Sequence, residues 1–539
     1  MRGADLLIQT LQQLGTKHIF SLSGNQIMPV YDAWIDSDIN LIHTRHEAGA
    51  VHMADAWGRL TGTLGVALIA GGPGFSNGLS AMYVAKMAES PVVVLSGHVA
   101  LATLGKGSFQ EMPQAEIGRY YAKASWLVRD VNEIGHAIRR AFMIAKQGRP
   151  GPVHVSLPSD LLGMAVDAAN NAAPTIPAIP NLEPTKCDAI VQAIRAAQRP
   201  LVLAGSAVMH SAEFAAAQHP FATANLPLIG TESPRGINDP SLGAFASVLA
   251  QADLLVLLGK KLDFTFRFGQ APFIKEGTRV IQVDADEDVL ALTRTNGATL
   301  ELVDLIHADP VDALRQLTVG MSQWACDAGW AQTVAEAIAY VPPEWGRWVS
   351  GEGEALFSAE IGRTIHNFLA EDPDGIMISD GGEFGQWAQA TIKPPHRIIN
   401  GMSGSIGVAV PFGLAARLAY PNARIVVCSG DGGFGFLPLE IETAVRNNLP
   451  FTTVIGNDAR WNAEYQIQVR NYGADRIKGV ELNQTNYHEV VRAVGGWGAQ
   501  VTDVAALNAT LHAAHASGLP ACINATIRGE AAPVITQTE

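Results

Sequence analysis

The stretch VVCSGDGGFGFLPLEIETAVRNNLPFTTVIGNDARWN, residues 426–462, decides the fold. It opens on an apolar run and breaks at Gly430, Gly432 and Gly433 around Asp431. It then passes into PLEIETAVRNN, where Ile441, Ala444 and Val445 share a helical face. Pro438 suits the first turn of that helix. A second apolar run, PFTTVIGND, ends on Asn457 and Asp458. Strand, glycine turn, helix and strand in this order make one unit of a parallel sheet. Glycines ahead of a helix N-terminus let a diphosphate approach the backbone, and the helix end favours its charge. Asp431 is then a hard oxygen donor for Mg2+, which bridges phosphate oxygens using few protein ligands. Asp458, at the end of the next strand, can approach the same ion. Gly-Asp-Gly by itself is ordinary turn chemistry; the flanking elements and the second polar cluster give it meaning.

Outward from this unit, the same style recurs. The first block contains KHIFSLSG, LGVALIAGGPG, SPVVVLSG and GPVHVSLP; the second contains RPLVLAGSAV, ADLLVLLGKKLDF and TRVIQVDADED. The third contains GIMISDGGEFG, ARIVVCSGDGG, PFTTVIGND and PACINATI. Short apolar runs ending in glycine or polar turns, with helical patterns between them, read as buried parallel strands with crossover helices. AANNAAPTIPAIPNLEP and VPPEWGRWVSGEGEA lack periodicity and read as linkers. The expectation is an α/β chain of three doubly wound parallel-sheet domains, at residues 1–165, 186–340 and 355–530.

A length of 539 residues with 48% hydrophobic content supplies ample core material for several domains. A net charge of -14 disfavours broad capture of nucleic acid. The four cysteines, Cys187, Cys326, Cys428 and Cys522, form no CxxC element and read as buried thiols. At the N-terminus Leu6, Leu7, Leu11 and Leu14 fall at helical spacing with Gly15 as a stop, unlike a secretory signal. No apolar run is long enough to span a membrane, so the expected location is the cytoplasm.

The run from GDG at residue 430 to GND at residue 456 resembles the thiamin-diphosphate motif. Over nearly the whole chain the order of blocks resembles the acetolactate synthase-like superfamily, which includes benzaldehyde lyase, 2-hydroxyacyl-CoA lyase and oxalyl-CoA decarboxylase. The resemblance implies pyrimidine-binding, central Rossmann-like and diphosphate-binding domains, with thiamin diphosphate and Mg2+ as cofactors. It implies Asp431, Asp458 and the backbone carbonyl of Arg460 as metal ligands. Asp458 departs from the asparagine customary there and adds a negative charge.

In TRHEAGAVHMADAWGRLTG, Glu47 follows a short strand and opens a helical pattern through Ala50, Met53, Ala54 and Trp57. A glutamate in that position is ordinarily a helix-dipole partner. The resemblance instead implies a catalytic acid that hydrogen-bonds the cofactor's aminopyrimidine, favouring the tautomer that removes the thiazolium C2 proton. Gln110, in GSFQEMPQ, would direct an amide at the reacting carbonyl. Gly24, Asn25, Gln26, Pro73 and Asn77 would lie near the pyrimidine. Gly382, Glu383, Gly430, Gly432 and Gly433 would line the diphosphate, with Gly404 and Ile406 at the aminopyrimidine and the cofactor bend.

Trp461, Ala463 and Glu464 are substrate-pocket candidates, although residues of these types serve equally as packing and surface. The central block has no GxGxxG, so FAD or ADP there rests on analogy alone. The resemblance further implies a homodimer or homotetramer with active sites at the subunit interface. The expected activity is a carbon-carbon bond lyase or carboligase acting on 2-oxo acids or 2-hydroxy carbonyl compounds. A CoA-thioester enzyme and a non-catalytic cofactor-binding regulatory paralogue are the alternatives.

Overall fold

Three sheets, each parallel throughout, organise the computed structural model, which describes residues 1–170, 172–321, 325–351 and 353–535. The first contains β1 (His18–Ser21), β2 (Asn40–His43), β3 (Gly65–Ile69), β4 (Val92–His98), β5 (Ala124–Leu127) and β6 (Val153–Pro158), in the order β2-β1-β3-β4-β6-β5. The second contains β7 (Pro200–Ala204), β8 (Leu228–Gly230), β9 (Leu254–Leu258), β10 (Arg279–Asp284) and β11 (Glu301–His307), in the order β11-β10-β9-β7-β8. The third contains β12 (Ile376–Ser379), β13 (His396–Ile399), β14 (Ile425–Gly430), β15 (Thr452–Asn457), β16 (Trp497–Val501) and β17 (Ala521–Thr526). Its order, β13-β12-β14-β15-β17-β16, repeats that of the first sheet strand for strand.

Every residue of β3, β4, β9 and β15 is buried, the signature of strands covered by helices on both faces. The N-terminal helix runs Gly3–Gln13, and Gly15 beyond it takes φ +77°, the left-handed turn foreseen from its position. One expectation differs in detail: the helix after the glycine turn begins at Glu440, leaving Pro438 outside it, and Asp431–Phe434 form a separate single turn. No helix among the described residues is long and apolar enough to cross a membrane.

The chain divides into two compact units, one comprising residues 1–146, 150–176 and 348–532 and the other 147–149, 177–347 and 533–539. The first unit holds the first and third sheets, joined through one hydrophobic core. In it Ala50, Met53 and Ala54 of the helix Glu47–Thr61 cluster with Phe412, Ala415 and Ala416 of the helix Ala409–Ala419. Small residues on both helices let them approach closely. Beside this junction a buried ion pair forms within the helix Glu47–Thr61, and its arginine reaches across. The Arg59 guanidinium donates twice to the Asp55 carboxylate at 2.9 Å and once to the Ile399 carbonyl at 2.9 Å, and lies 4.8 Å from the Phe412 ring centroid. In the second unit, Arg149 donates to the Asp284 carboxylate and the Gly259 carbonyl at the ends of β10 and β9.

With Asp55 fully buried and Arg59 nearly so, removing one partner strands the other charge without water. Arg59→Ala is expected to lower unfolding stability by about 3–5 kcal/mol. Urea denaturation followed by tryptophan fluorescence measures it, and a change below about 0.5 kcal/mol, the size of an ordinary surface substitution, contradicts the assignment.

Candidate active site

In open parallel sheets a crevice forms at the carboxyl ends of two adjacent strands whose connections leave in opposite directions. The shared strand order puts that point between β1 and β3 in the first sheet and between β12 and β14 in the third. The candidate residues lie at the carboxyl ends of these two sheets, with Asp458 after β15, the strand beside β14.

At the first crevice, Glu47 is buried at the N-terminus of its helix, behind His46, whose Nδ1 accepts the Ala48 amide hydrogen at 3.1 Å. Asn77, on the helix Pro73–Met87, donates to Glu47 Oε2 at 3.0 Å. Gly74 leaves the carboxylate its space, since a β-carbon there would stand 2.8 Å from Glu47 Oε1. Gly24 leads into the short helical turn Asn25–Ile27 and faces Ala70 beyond β3. Gln26 is buried and donates from Nε2 to Gln110 Oε1 at 2.6 Å. Gln110 takes φ +65°, a left-handed conformation that costs a non-glycine residue on the order of 1 kcal/mol. Its backbone rests against Gly72, where a β-carbon would meet the Gln110 carbonyl at 2.6 Å.

At the second crevice, Asp431 follows β14 directly, and Asp458 follows β15, the strand paired with it. Burial pushes Asp431 up to about 6, although the backbone N–H groups of Gly432, Arg460 and Ala459 pull the other way. Its Oδ2 is buried and has no hydrogen-bond partner. Burial, then the nearby charge of Asp431, pushes Asp458 up to about 7. Ala459 takes φ +56°, and the Arg460 amide closes on Asp458 Oδ1 at 3.1 Å. This tight turn aims both acids at one region and supplies main-chain carbonyls beside them. A third acid does not join them: among the described residues no cluster of three or more histidine, cysteine or acidic side chains is suited to a metal ion. Two carboxylates, one with an unmatched buried oxygen, fit a hard cation that takes its remaining ligands from main chain, phosphate and water.

Two of the glycines around them, Gly432 and Gly433, are constrained by close neighbours. A β-carbon at Gly432 would strike the Trp461 ring at 2.6 Å, and one at Gly433 would reach Asp380 Oδ2 at 2.9 Å. At Gly430 and at Gly382, which has φ +83°, such a carbon meets nothing within 4 Å. Gly404, at φ +67°, is equally open, and Ile406 lies against Gly381. Glu383 sits in the first turn of the helix Gly382–Thr391. Ala463 is half-buried and Glu464 exposed, both in the first turn of the helix Asn462–Tyr472. Thus Glu47 and Asn77 meet, as do Gln26 and Gln110, and Asp431 and Asp458 interact. Among the described residues no hydrogen bond links the Glu47 group to the acidic pair.

Three further residues shape the site and escaped sequence reasoning. Buried Asp380 accepts hydrogen bonds from the amides of Gly381 and Gly407 and from the Ser429 hydroxyl, tying together three loops, and burial raises it to about 6. Gln114 is buried, accepts from the Gly72 amide at 2.7 Å and donates to Ser96 Oγ and the Gly97 carbonyl. Glu440 accepts from the amides of Arg45 and His46 and from the Thr443 hydroxyl, so the last domain braces the loop that precedes Glu47. Only Asp380, beside the glycines of SDGGEFG, carried a local signal.

Comparison with known proteins agrees with this arrangement. Residues 1–117 match the thiamine pyrophosphate enzyme N-terminal TPP binding domain, 187–317 the central domain and 380–525 the C-terminal TPP binding domain. A probable acetolactate synthase of Mycobacterium bovis is 30% identical over 534 residues, spanning 97% of this chain and 95% of its own. A 2-hydroxyacyl-CoA lyase 2 of Danio rerio is 28% identical, with 92% of this chain and 86% of its own covered. An acetolactate synthase of Bacillus subtilis is 28% identical, with 93% and 88% covered. With all three domains matched and a relative of this identity along nearly its full length, the chain belongs to the thiamine pyrophosphate enzymes, among those of the acetolactate synthase and 2-hydroxyacyl-CoA lyase type.

Proposed function

We propose that the protein is a thiamin-diphosphate- and Mg2+-dependent lyase or carboligase that breaks or makes a carbon-carbon bond beside a carbonyl, in 2-oxo acids or 2-hydroxy carbonyl compounds. The carrying observation is the Asp431–Asp458 pair, a buried and a half-buried acid on neighbouring strand tips, the buried one with an oxygen lacking a partner among the described residues. Two such acids cannot both ionise comfortably without a cation between them. The residues proposed to hold Mg2+ are Asp431, Asp458 and the carbonyl of Arg460. Gly382, Glu383, Gly430, Gly432 and Gly433 would give the diphosphate its path, and Gly404 and Ile406 the aminopyrimidine and the bend. Bound thiamin diphosphate supplies a nucleophilic carbon and an electron sink.

Glu47 is assigned to hold a proton at the aminopyrimidine, kept in place by Asn77 and enclosed by Gly74. Gly24, Asn25, Gln26 and Pro73 flank that ring, and Gln110 orients the carbonyl. Trp461, Ala463 and Glu464 border the substrate side. Among the described residues no hydrogen bond links the Glu47 group to the acidic pair, and the site is proposed to form between subunits of a homodimer or homotetramer. Phe109 beside Gln110 is 77% exposed and Phe436 beyond Asp431 is 57% exposed, consistent with surfaces covered by another copy.

A second reading, cleavage of 2-hydroxyacyl-CoA thioesters, is favoured by the similarity to 2-hydroxyacyl-CoA lyase 2. Incubation with 2-hydroxyacyl-CoAs of several chain lengths separates the two: formation of an aldehyde one carbon shorter and formyl-CoA supports the thioester reading, and its absence removes it.

Glu47→Gln keeps the shape and loses the acid, so exchange of the cofactor's C2 proton, followed by NMR, is expected to slow by a factor of about 100 or more. Unchanged exchange contradicts the role. The acidic pair predicts a pH dependence with a definite sign. Both folded-state values lie above the ordinary 3.8, so the metal-free pair favours folding when protonated, and this contribution is lost as pH rises through about 6 and 7. Mg2+ must displace those protons. Its affinity in the presence of thiamin diphosphate, measured by calorimetry, is expected to rise between pH 5.5 and about 7.5 and to level off above. Asp458→Asn should flatten that rise, and an affinity independent of pH contradicts the pair as the metal site.

A further inference from the structure

We propose that Gln26 is a specificity-determining residue: paired with Gln110, it presents one hydrogen-bond donor and one acceptor to a substrate that carries a hydroxyl group next to its reacting carbonyl. The inference rests on the function proposed above and narrows its substrate class.

Gln26 is 6% exposed and Gln110 lies half-buried beside it, joined by the 2.6 Å bond from Gln26 Nε2 to Gln110 Oε1. That bond uses the carbonyl end of Gln110 and does not engage its Nε2 donor. It also leaves Gln26 Oε1, buried and without a hydrogen-bond partner. An unmatched buried amide oxygen is costly and points to a ligand that will satisfy it. This oxygen lies 3.8 Å from where a side chain at Gly24 would begin, and Ala70 packs against the same bare glycine, with its β-carbon 2.5 Å from that point.

The surrounding backbone fixes the pair. Gly97 makes room for the Gln26 side chain, since a β-carbon there would stand 2.7 Å from Gln26 Cβ. Gly72, at φ +58°, packs under Gln110, which itself sits in the left-handed region. The Gly72 amide is in turn anchored by Gln114. A strained residue held by this many neighbours at a proposed reaction centre is a mark of preorganisation.

Hydrogen-bond valence then selects the substrate. If both amides turn over together, the donor and acceptor exchange places, and one of each still remains uncommitted. A 2-hydroxy ketone or 2-hydroxyacyl thioester offers a carbonyl acceptor and a hydroxyl donor side by side, matching both. A 2-oxo acid offers a carbonyl beside an ionised carboxylate, two acceptors, and leaves one amide oxygen facing negative charge.

The test compares acetoin with pyruvate, which deliver the same acetyl group, and the matched benzoyl pair benzoin and benzoylformate, using the full-length holoenzyme at saturating thiamin diphosphate and Mg2+. Wild-type enzyme should show a kcat/KM ratio of hydroxy ketone to oxo acid above one in at least one pair. Gln26→Met, which keeps the length and removes the amide, should lower that ratio by about tenfold or more. Gln26→Ala should do the same, and retained thermal midpoints show that both variants are folded. Taking a ratio cancels any shared loss in cofactor binding. A ratio shifted less than threefold overturns the proposal, as does a wild-type preference for the oxo acid in both pairs or turnover of none of the four. C2-proton exchange is measured alongside. If wild-type enzyme does not exchange, the function proposed above fails; if it exchanges and the ratio stays put, only the role of Gln26 fails.

Discussion

Two acidic side chains set close together, one of them buried, define the terms for the last domain. Asp431 and Asp458 stand at the tips of strands paired side by side; burial raises both, and the charge of Asp431 further raises Asp458. Such an arrangement is unfavourable alone and favourable around a cation. The neighbouring glycines serve the same end. Gly432 and Gly433 permit Trp461 and Asp380 to close on the turn, while Gly430 leaves its own flank clear. Asp380 then binds the loops after β12 and β13 to the end of β14, so the surface that would meet a diphosphate is held from behind by a buried carboxylate.

The first and third sheets use one plan twice, with the same strand order and the same crevice. One crevice bears acids suited to metal and phosphate, the other a buried glutamate and an amide pair. They are coupled within the unit by Glu440, whose carboxylate holds the amides just ahead of Glu47, and by the Arg59 bridge to Ile399. The last domain therefore braces the loop that leads into Glu47, the residue proposed to hold a proton. This coupling explains why Gly49 must lack a side chain: a β-carbon there would stand 2.4 Å from Glu440 Oε1.

The interior strands were legible in the sequence because burial on both faces demands continuous apolar runs, as in VVVLSG and LLVLL. The strands that left no such run are β5, β8, β11, β13 and β16, each at a sheet margin or partly open to solvent. ELVDLIH of β11 and WGAQV of β16 mix polar and apolar residues because one side faces water. A similar division holds in the site. Asp431 and Asp458 stood out because local patterning of strand, turn and helix surrounds each, and Glu47 gained its meaning from the resemblance that those two carry. Gln114 and Glu440 did not, because their partners, Gly72 and Ser96 for one and Arg45 and His46 for the other, are brought to them by the fold. The Gln26–Gln110 bond likewise joins residues from separate loops, and neither residue's sequence neighbourhood hints at the other.

The most direct test of the central idea is a crystal structure grown with thiamin diphosphate and Mn2+ as an anomalous substitute for Mg2+. The account expects one strong anomalous peak at about 2.0–2.2 Å from carboxylate oxygens of both Asp431 and Asp458, with diphosphate oxygens completing the shell. A peak bound elsewhere, or a diphosphate seated while Asp431 Oδ2 stays uncoordinated, would contradict it.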